Sequence, residues 1–281
     1  MERENAWKNY NEEDLTALEA FSKDYRAFLD ASKTERECVN ECVRIAEAHG
    51  FSNMMEVSAA GERLQPGAKV YANWMGKVIM LFVVGEDPLE MGMNILGAHI
   101  DSPRIDVKQN PLYEDSDLAY LDTHYYGGIK KYQWVAQPLS LHGVIVKKDG
   151  TIVDVCIGEN EDDPVFCISD LLPHLAQEQM KKDASKIVEG EDLNLIIAGC
   201  PLKDGEKEGV KENVLKILRD AYEVEEEDFL SAELEIVPAG KARDMGLDRS
   251  MILAYGHDDR VCAYPSMRAV LDFEGTPVRT L

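Results

Sequence analysis

The apolar positions at the start of the chain recur with the spacing of a helix. Between residues 12 and 31 a large apolar side chain returns every three or four positions, which places one stripe along one helix face. These residues are Leu15, Leu18, Phe21, Tyr25, Phe28 and Leu29. Thr34 and Glu37 form a capping-box pair that predicts the start of a second helix, and Gly50 is expected to end it. Two amphipathic helices are therefore predicted at the start of the chain.

A strand-like pattern follows these two helices. Residues 70–74 and 78–84 are rich in β-branched and aromatic side chains, and Met75-Gly76 lies between them, which predicts a β-hairpin. Residues 94–98 form a short apolar run that is predicted to be a strand ending at His99. Helices followed by strands in this way are typical of a layered α/β domain.

The middle of the chain has a different pattern, in which predicted strands outnumber predicted helices. Residues 132–136, 139–147, 151–157 and 232–237 are predicted strands, residues 170–182 and 211–222 are predicted helices, and the polar stretch 110–128 is assigned no element. A further strand is predicted at residues 251–255. We therefore predict that a β-rich domain, residues 107–249, is inserted into a discontinuous α/β domain formed by residues 1–106 and 250–281.

Charge and composition narrow the class of protein. The chain has 30 basic and 53 acidic residues, a formal net charge of −23. Nucleic-acid binding needs clustered basic residues, so this charge argues against a nucleic-acid-binding protein. The longest uncharged apolar run, residues 78–85, is far shorter than the about 20 residues that span a bilayer as a helix. The charged residues 1–10 lack the apolar core of a signal peptide. We therefore predict a cytoplasmic protein that binds neither nucleic acid nor membranes, with its six cysteines reduced.

Two short segments carry residues suited to metal chemistry. His99 and Asp101 follow the apolar run 94–98, and in an extended chain their side chains point the same way. Histidine is the commonest metal ligand, and a neighbouring carboxylate can fix its tautomer. Asp258 and Asp259 follow the predicted strand 251–255, and adjacent carboxylates on a turn suit hard cations. Each segment alone also fits a structural role, a histidine bonded to a turn carboxylate or an acidic helix cap.

The combination of motifs is more specific than either segment. The motifs are Gly97-Ala98-His99-Ile100-Asp101-Ser102-Pro103-Arg104, Tyr126-Gly127-Gly128, Gln133-Trp134, Pro138-Leu139-Ser140-Leu141-His142-Gly143-Val144 and Gly256-His257-Asp258-Asp259-Arg260. In this order and spacing they resemble the aminopeptidase I / aspartyl aminopeptidase family of zinc metallopeptidases. The likeness covers nearly the whole chain. It is strongest with the bacterial aminopeptidase 1 branch, in which Gln-Trp precedes the proline segment.

The resemblance implies a fold, a cofactor and a set of site residues. It implies a two-zinc exopeptidase with a discontinuous catalytic domain and an inserted dimerisation domain, assembled from dimers into dodecamers. His99 matches a zinc ligand, Asp101 the carboxylate that supports it, and Asp258 the aspartate that bridges the two metals, with Asp259 the alternative for that role. His257 is expected to be structural. Zinc is the expected metal, and manganese or cobalt would suit the same nitrogen and oxygen ligands.

One family motif has no counterpart in this sequence. The family pattern continues into Glu-Glu-apolar-Gly, which supplies the general base and a zinc ligand, and this motif does not occur up to Leu281. Two zincs sharing a carboxylate take about five protein ligands, and the matched ligands here are His99 and Asp258. We therefore expect the N-terminal portion of a metalloaminopeptidase that hydrolyses the N-terminal residue of peptides with metal-activated water, inactive alone.

Two other interpretations remain open at this stage. The chain could be a naturally short, non-catalytic protein that acts as an assembly partner through residues 107–249. It could also be another two-metal hydrolase that acts on small acyl amides, although the motifs in the predicted insertion argue against it. An open reading frame that continues into Glu-Glu-apolar-Gly would favour the enzyme over the assembly partner.

Overall fold

The chain folds into two compact units. The computed structural model describes residues 4–203 and 207–281, so the first three residues of the charged N-terminal segment lie outside it. Residue contacts group Met1–Ser102 with Lys241–Leu281, here called the discontinuous unit, and Pro103–Gly240, here called the inserted unit. No helix in the described part of the chain is long and apolar enough to cross a bilayer. All six cysteines are free thiols.

The first part of the discontinuous unit matches its predicted elements. It contains α1 (Glu12–Asp30), α2 (Glu35–Ala48), β1 (Ser52–Asn53), α3 (Met54–Ala59), β2 (Lys69–Trp74) and β3 (Val78–Val83). Thr34 and Glu37 form the expected capping box at the start of α2. The hairpin of β2 and β3 is antiparallel, and β1 pairs with β2 in parallel. The two predicted helices and the hairpin are confirmed.

The core of this unit joins the N-terminal helices to the last helix of the chain. After the inserted unit come β10 (Arg243–Met245), β11 (Met251–Leu253) and α5 (His257–Leu271). The ring of Tyr264 in α5 lies 5.3 Å from that of Tyr25 and 5.0 Å from that of Phe28, and all three side chains are buried. Because burial of each aromatic ring contributes roughly 2–3 kcal/mol, this cluster fixes the position of α5.

The inserted unit is built on a six-stranded sheet. Its elements are β4 (Arg104–Asp115), β5 (Leu118–Tyr126), β6 (Leu139–Val146), β7 (Ile152–Ile157), β8 (Leu195–Ala198), α4 (Gly209–Tyr222) and β9 (Ala232–Pro238). The strand order is β7-β6-β9-β4-β5-β8, with antiparallel pairing throughout. The α/β fold with a β-rich insertion is thus as predicted.

The two faces of this sheet differ in polarity. Leu141, Ile236 and Ile105 align across β6, β9 and β4 and belong to the apolar face, where α4 contributes the buried Val214. Side chains of that face and of α4 line an apolar cavity of about 250 Å³. The neighbouring row places His142 opposite Glu235. Because successive side chains of a strand alternate between faces, this polar pair belongs to the opposite face.

Three local predictions are wrong. Residues 94–98 form no strand, because no strand of the described chain pairs with them. Residues 132–136 are not a strand either: a short 3-10 helix occupies Lys131–Gln133. Ala136 has φ +56°, which a strand cannot accommodate. Residues 170–182 form turns and a 3-10 helix at Gln179–Lys181. Leu171, Leu172, Leu175 and Met180 are exposed, so the large apolar side chains of this segment provide no packing that would stabilise a helix.

One pair of strands was not predicted from the sequence. β4 and β5 occupy most of the polar stretch 110–128 and are joined at Ser116 and Asp117, which both have positive φ. The strand alternation is interrupted by an irregularity in the register between Val107 and Leu112. A turn in which both central residues have positive φ is the type that joins tight hairpins. The polar segment Asp115-Ser116-Asp117 was therefore the feature of the sequence that could have indicated a hairpin here.

The unit boundaries lie close to those drawn from sequence, with shifts that have local causes. β4 already begins at Arg104, so the insertion starts a few residues before position 107. Residues 241–249 belong to the discontinuous unit because β10 pairs with β11 and the amide of Ala242 donates to Asp30 Oδ1 at 2.6 Å. The catalytic and dimerisation roles of the two units stay predictions.

Candidate metal centre

The candidate site lies within the discontinuous unit, where two segments meet. His99 and Asp101 follow the extended residues 94–98, and Asp258 and Asp259 stand at the start of α5. Both aspartates have non-helical backbone angles, and the peptide bond between them is cis. Because these angles are not helical, the two carboxylates do not follow the regular positions of a helix face.

The structure brings the predicted metal ligands together. His99 Nε2 lies 3.3 Å from Asp258 Oδ1 and 3.9 Å from Asp259 Oδ2. One donor atom from each of these three residues lies within 4.8 Å of the others. The Asp258 side chain is 76% exposed and that of Asp259 is 23% exposed. The cluster is therefore open to solvent on the side of Asp258.

Asp101 forms hydrogen bonds with Nδ1 of the His99 ring, the nitrogen that faces away from Asp258. His99 Nδ1 lies 3.0 Å from the main-chain oxygen of Asp101 and 3.1 Å from its Oδ1. Two acceptors at this nitrogen favour a proton on Nδ1, which leaves the Nε2 lone pair facing Asp258. Desolvation lowers the pKa of His99, but hydrogen bonding and charge from Asp101, with the charge of Asp259, outweigh it and raise the pKa overall.

The donor set fits a zinc ion. Two ligands of a tetrahedral zinc, each about 2.0–2.1 Å from the metal, lie about 3.3 Å apart, and His99 Nε2 and Asp258 Oδ1 are 3.3 Å apart. One imidazole and two carboxylates suit zinc, manganese or cobalt. The lone pair of Nε2 faces carboxylate oxygens, an arrangement that a cation between them stabilises. His99, Asp258 and Asp259 can therefore hold a metal together.

Two other side chains support this region. His257 Nδ1 lies 3.0 Å from the hydroxyl of Tyr25 in α1, and its Nε2 lies 3.2 Å from the main-chain oxygen of Ile252. Burial raises the pKa of Tyr25 to about 12, against the opposing charge of Arg260. Tyr25 therefore stays protonated at neutral pH and can donate to His257. These contacts agree with the structural role expected of His257.

Sequence reasoning did not predict the burial of two residues next to the site, or the bond between them. Ser102 and Arg260 both belong to the motifs quoted above, but nothing in a single sequence marks them as buried. Arg260 is fully buried and donates to Ser102 Oγ at 2.6 Å. Arginine is almost never fully buried without a partner, and nothing in its acidic, polar run marks it as buried.

Comparison with known proteins agrees with the motifs. The family model described as "Aminopeptidase I zinc metalloprotease (M18)" matches residues 28–280. A probable M18 family aminopeptidase 1 of Clostridium acetobutylicum is 59% identical over 274 residues, which are 97% of this chain and 59% of that protein. The chain spans about 60% of the length of the curated relatives that it matches.

Solved structures give the same result for the fold. The crystal structure of an M18 family aminopeptidase from Thermotoga maritima superposes with a TM-score of 0.91 at 48% identity, over 100% of this chain and 60% of that one. Aminopeptidase I from Borrelia burgdorferi superposes with a TM-score of 0.87 at 39% identity, over 99% of this chain and 63% of that one. With nearly every residue matched in both sequence and structure, this chain belongs to the M18 aminopeptidase I family of zinc metalloproteases.

Proposed function

We propose that this chain is the part of a zinc metalloaminopeptidase that supplies His99 and Asp258 to a two-metal site. The observation that carries the proposal is the approach of His99 Nε2 to Asp258 Oδ1, 3.3 Å apart, with Asp101 behind the ring. These residues lie on segments far apart in the sequence. Their convergence at a distance suited to one cation supports a metal site.

Each residue has a distinct role in this proposal. His99 and Asp258 hold the metal, Asp258 as the carboxylate shared by two metals, with Asp259 the neighbour that can take its place. Asp101 keeps the proton of His99 on Nδ1 and so keeps Nε2 available. Bound zinc supplies a water of lowered pKa and polarises the carbonyl of the scissile bond. The substrate class is peptides with a free N-terminus.

Replacing Asp101 by asparagine tests its supporting role. Asp101→Asn keeps the size of the side chain but removes the negative charge that stabilises the Nδ1 proton of His99. We expect zinc affinity to fall ~10–100-fold, the usual effect of losing such a partner. Isothermal titration with zinc measures it, and Asp248→Asn, on an exposed turn of the same unit, is the control. Unchanged affinity in Asp101→Asn would contradict the role.

The 281-residue chain is expected to bind metal weakly and to catalyse nothing alone. His99 and Asp258 are about two of the five ligands that two zincs sharing a carboxylate require. The family's general base has no match in these residues, which removes a contribution of ~10²–10⁴ to the rate. The assay is release of amino acid from acidic and neutral aminoacyl-anilides with zinc, manganese or cobalt. Turnover that a chelator stops would refute this expectation.

We also propose that the inserted unit mediates self-association. Its segment Leu171–Met180 presents four large apolar side chains that are at least half exposed: Leu171, Leu172, Leu175 and Met180. Clusters of this kind on an otherwise charged surface mark protein–protein contacts. One structural relative of 18% sequence identity, mApe1 of S. cerevisiae, is a dodecamer. A homodimer is the simplest closed assembly that would cover the segment.

Substitution within that segment tests the self-association. The double variant Leu172→Glu, Leu175→Glu places two charges in the proposed contact, and we expect it to be monomeric where the unmodified chain is dimeric or larger. Leu230→Glu, also on an exposed apolar residue of the inserted unit, is the matched control. Sedimentation velocity measures the masses. A monomeric unmodified chain at high concentration would rule out the proposal.

A further inference from the structure

Arg260 is a buried cation beside the candidate metal centre that takes no part in binding metal. Its side chain has 0% exposure, and it lies in α5, one residue after Asp259. Its guanidinium donates to Ser102 Oγ at 2.6 Å, to the main-chain oxygen of Gly256 at 3.4 Å and to that of Lys33 at 3.3 Å. All three acceptors are neutral oxygens. A buried charge is costly unless it is well hydrogen-bonded, so this residue calls for an explanation.

The contacts of Arg260 join the two segments that carry the metal ligands. Ser102 ends the segment that bears His99 and Asp101, and Gly256 begins the turn that bears Asp258. The hydroxyl of Ser102 accepts from Arg260 and donates to the main-chain oxygen of Asp258. A continuous path of hydrogen bonds therefore runs from Arg260 through Ser102 to Asp258. It fixes the backbone of both segments rather than any ligand atom.

The backbone at Gly256 leaves space for this guanidinium. Gly256 has φ +87°, and a Cβ atom built there would lie 2.4 Å from Arg260 Nη1 and 3.2 Å from its Cζ. Any other residue at position 256 would be strained and would displace Arg260. The glycine and the arginine, four positions apart, thus form one arrangement. This is a second observation, independent of the hydrogen bonds, that the local sequence accommodates the buried cation.

We propose that Arg260, acting through Ser102, is a positioning residue that holds His99 and Asp258 at the separation required to share one metal ion. The inference rests on the proposed function, because it assigns a role within the same site. His99 and Asp258 come from segments with no regular secondary-structure pairing between them. Loss of the bond through Ser102 removes a direct connection between the two segments, so the 3.3 Å between the donor atoms is held less firmly.

Two variants test the path at separate points. Ser102→Ala removes one hydroxyl and leaves Arg260 its main-chain acceptors, and Arg260→Met removes the guanidinium. Ser102→Thr keeps a hydroxyl and serves as the conservative rescue. Arg268→Met is the matched control, because Arg268 lies on the same helix and bonds to Tyr264 and Asp272. Circular dichroism selects the folded variants, and Ser102→Ala decides the outcome if Arg260→Met does not fold.

The first readout is binding of cobalt(II) alone, followed by its visible absorption. We expect Ser102→Ala and Arg260→Met to weaken cobalt affinity ~10–100-fold and to change the absorption bands, which report coordination geometry. Ser102→Thr and Arg268→Met should resemble the unmodified chain. Unchanged affinity and bands in both Ser102→Ala and Arg260→Met would overturn the inference, because a purely structural residue would leave the bands unaltered in folded protein.

The second readout needs no metal and separates this inference from the proposed function. Hydrogen–deuterium exchange of the metal-free chain should become faster in residues 99–102 and 256–259 together in Ser102→Ala, with the remainder of α5 unchanged. If both segments of Ser102→Ala exchange at the same rate as in the unmodified chain, the positioning role is overturned. If instead exchange responds as expected but His99→Ala does not alter cobalt binding, then the metal-site proposal fails while the connection between the segments stands.

Discussion

The variant His99→Ala should lose nearly all metal binding at the candidate centre. The substitution removes the imidazole that faces Asp258 Oδ1 at 3.3 Å and leaves only carboxylates, which bind zinc weakly without a nitrogen ligand. We expect zinc affinity to fall by more than ~100-fold, beyond the effect of losing a supporting residue. In an aminopeptidase whose two-metal site is complete, the same substitution should lower hydrolysis to background.

A surface histidine provides the control for this variant. His49 follows α2 in the same unit, and its ring Nδ1 lies 2.8 Å from the main-chain oxygen of Ile45, so His49→Ala should bind zinc like the unmodified chain. Metal content after dialysis and isothermal titration report both variants. If His99→Ala keeps the affinity of the unmodified chain, the assignment of His99 as a ligand is wrong.

The second large effect is expected from Gly143→Ala in the centre of the inserted sheet. Gly143 has φ +138°, and a Cβ there would lie 1.9 Å from the main-chain oxygen of Glu233 on the neighbouring strand. Because that neighbour is backbone in a central pair of strands, it cannot move aside without breaking the pairing of β6 and β9. We expect a loss of about 3 kcal/mol or more in the free energy of unfolding.

A second glycine separates this clash from simple backbone strain. Gly150 also has positive φ, at the turn between β6 and β7, but nothing lies within 4 Å of its added Cβ. Gly150→Ala should therefore cost only about 1 kcal/mol. Urea unfolding of both variants can be followed by tryptophan fluorescence, to which the buried Trp134 contributes from this unit. Equal losses in the two variants would show that the close approach at Gly143 does not matter.

The candidate ligands were accessible from sequence because they follow a simple rule. His99 and Asp258 each come after a short apolar run, and residues at the ends of strands in α/β domains tend to meet. Residues 94–98 nevertheless form no strand, because a strand requires a run of hydrogen bonds to a neighbouring strand, and no strand of the described chain pairs with these residues. The rule marked both segments as candidates although the element before His99 was wrong, and the resemblance to the family supplied the expected ligand roles.

The supporting residues could not be found in the same way. Arg260 is buried by the convergence of α5 with the segments at Ser102 and Lys33, and such long-range contacts leave no local pattern in the sequence. The helix predicted at residues 170–182 failed for a related reason. Helical spacing produces a stable helix only where its apolar face packs, and the leucines of this segment are exposed.

The position of a bound metal tests the central claim most directly. Crystals of the chain soaked in zinc, with diffraction recorded on both sides of the zinc absorption edge, reveal each zinc ion as an anomalous peak. We predict a peak about 2.0–2.2 Å from both His99 Nε2 and Asp258 Oδ1, in the space that the 3.3 Å between these atoms leaves for one ion. Zinc bound only elsewhere, with His99 and Asp258 free of it, would contradict the account.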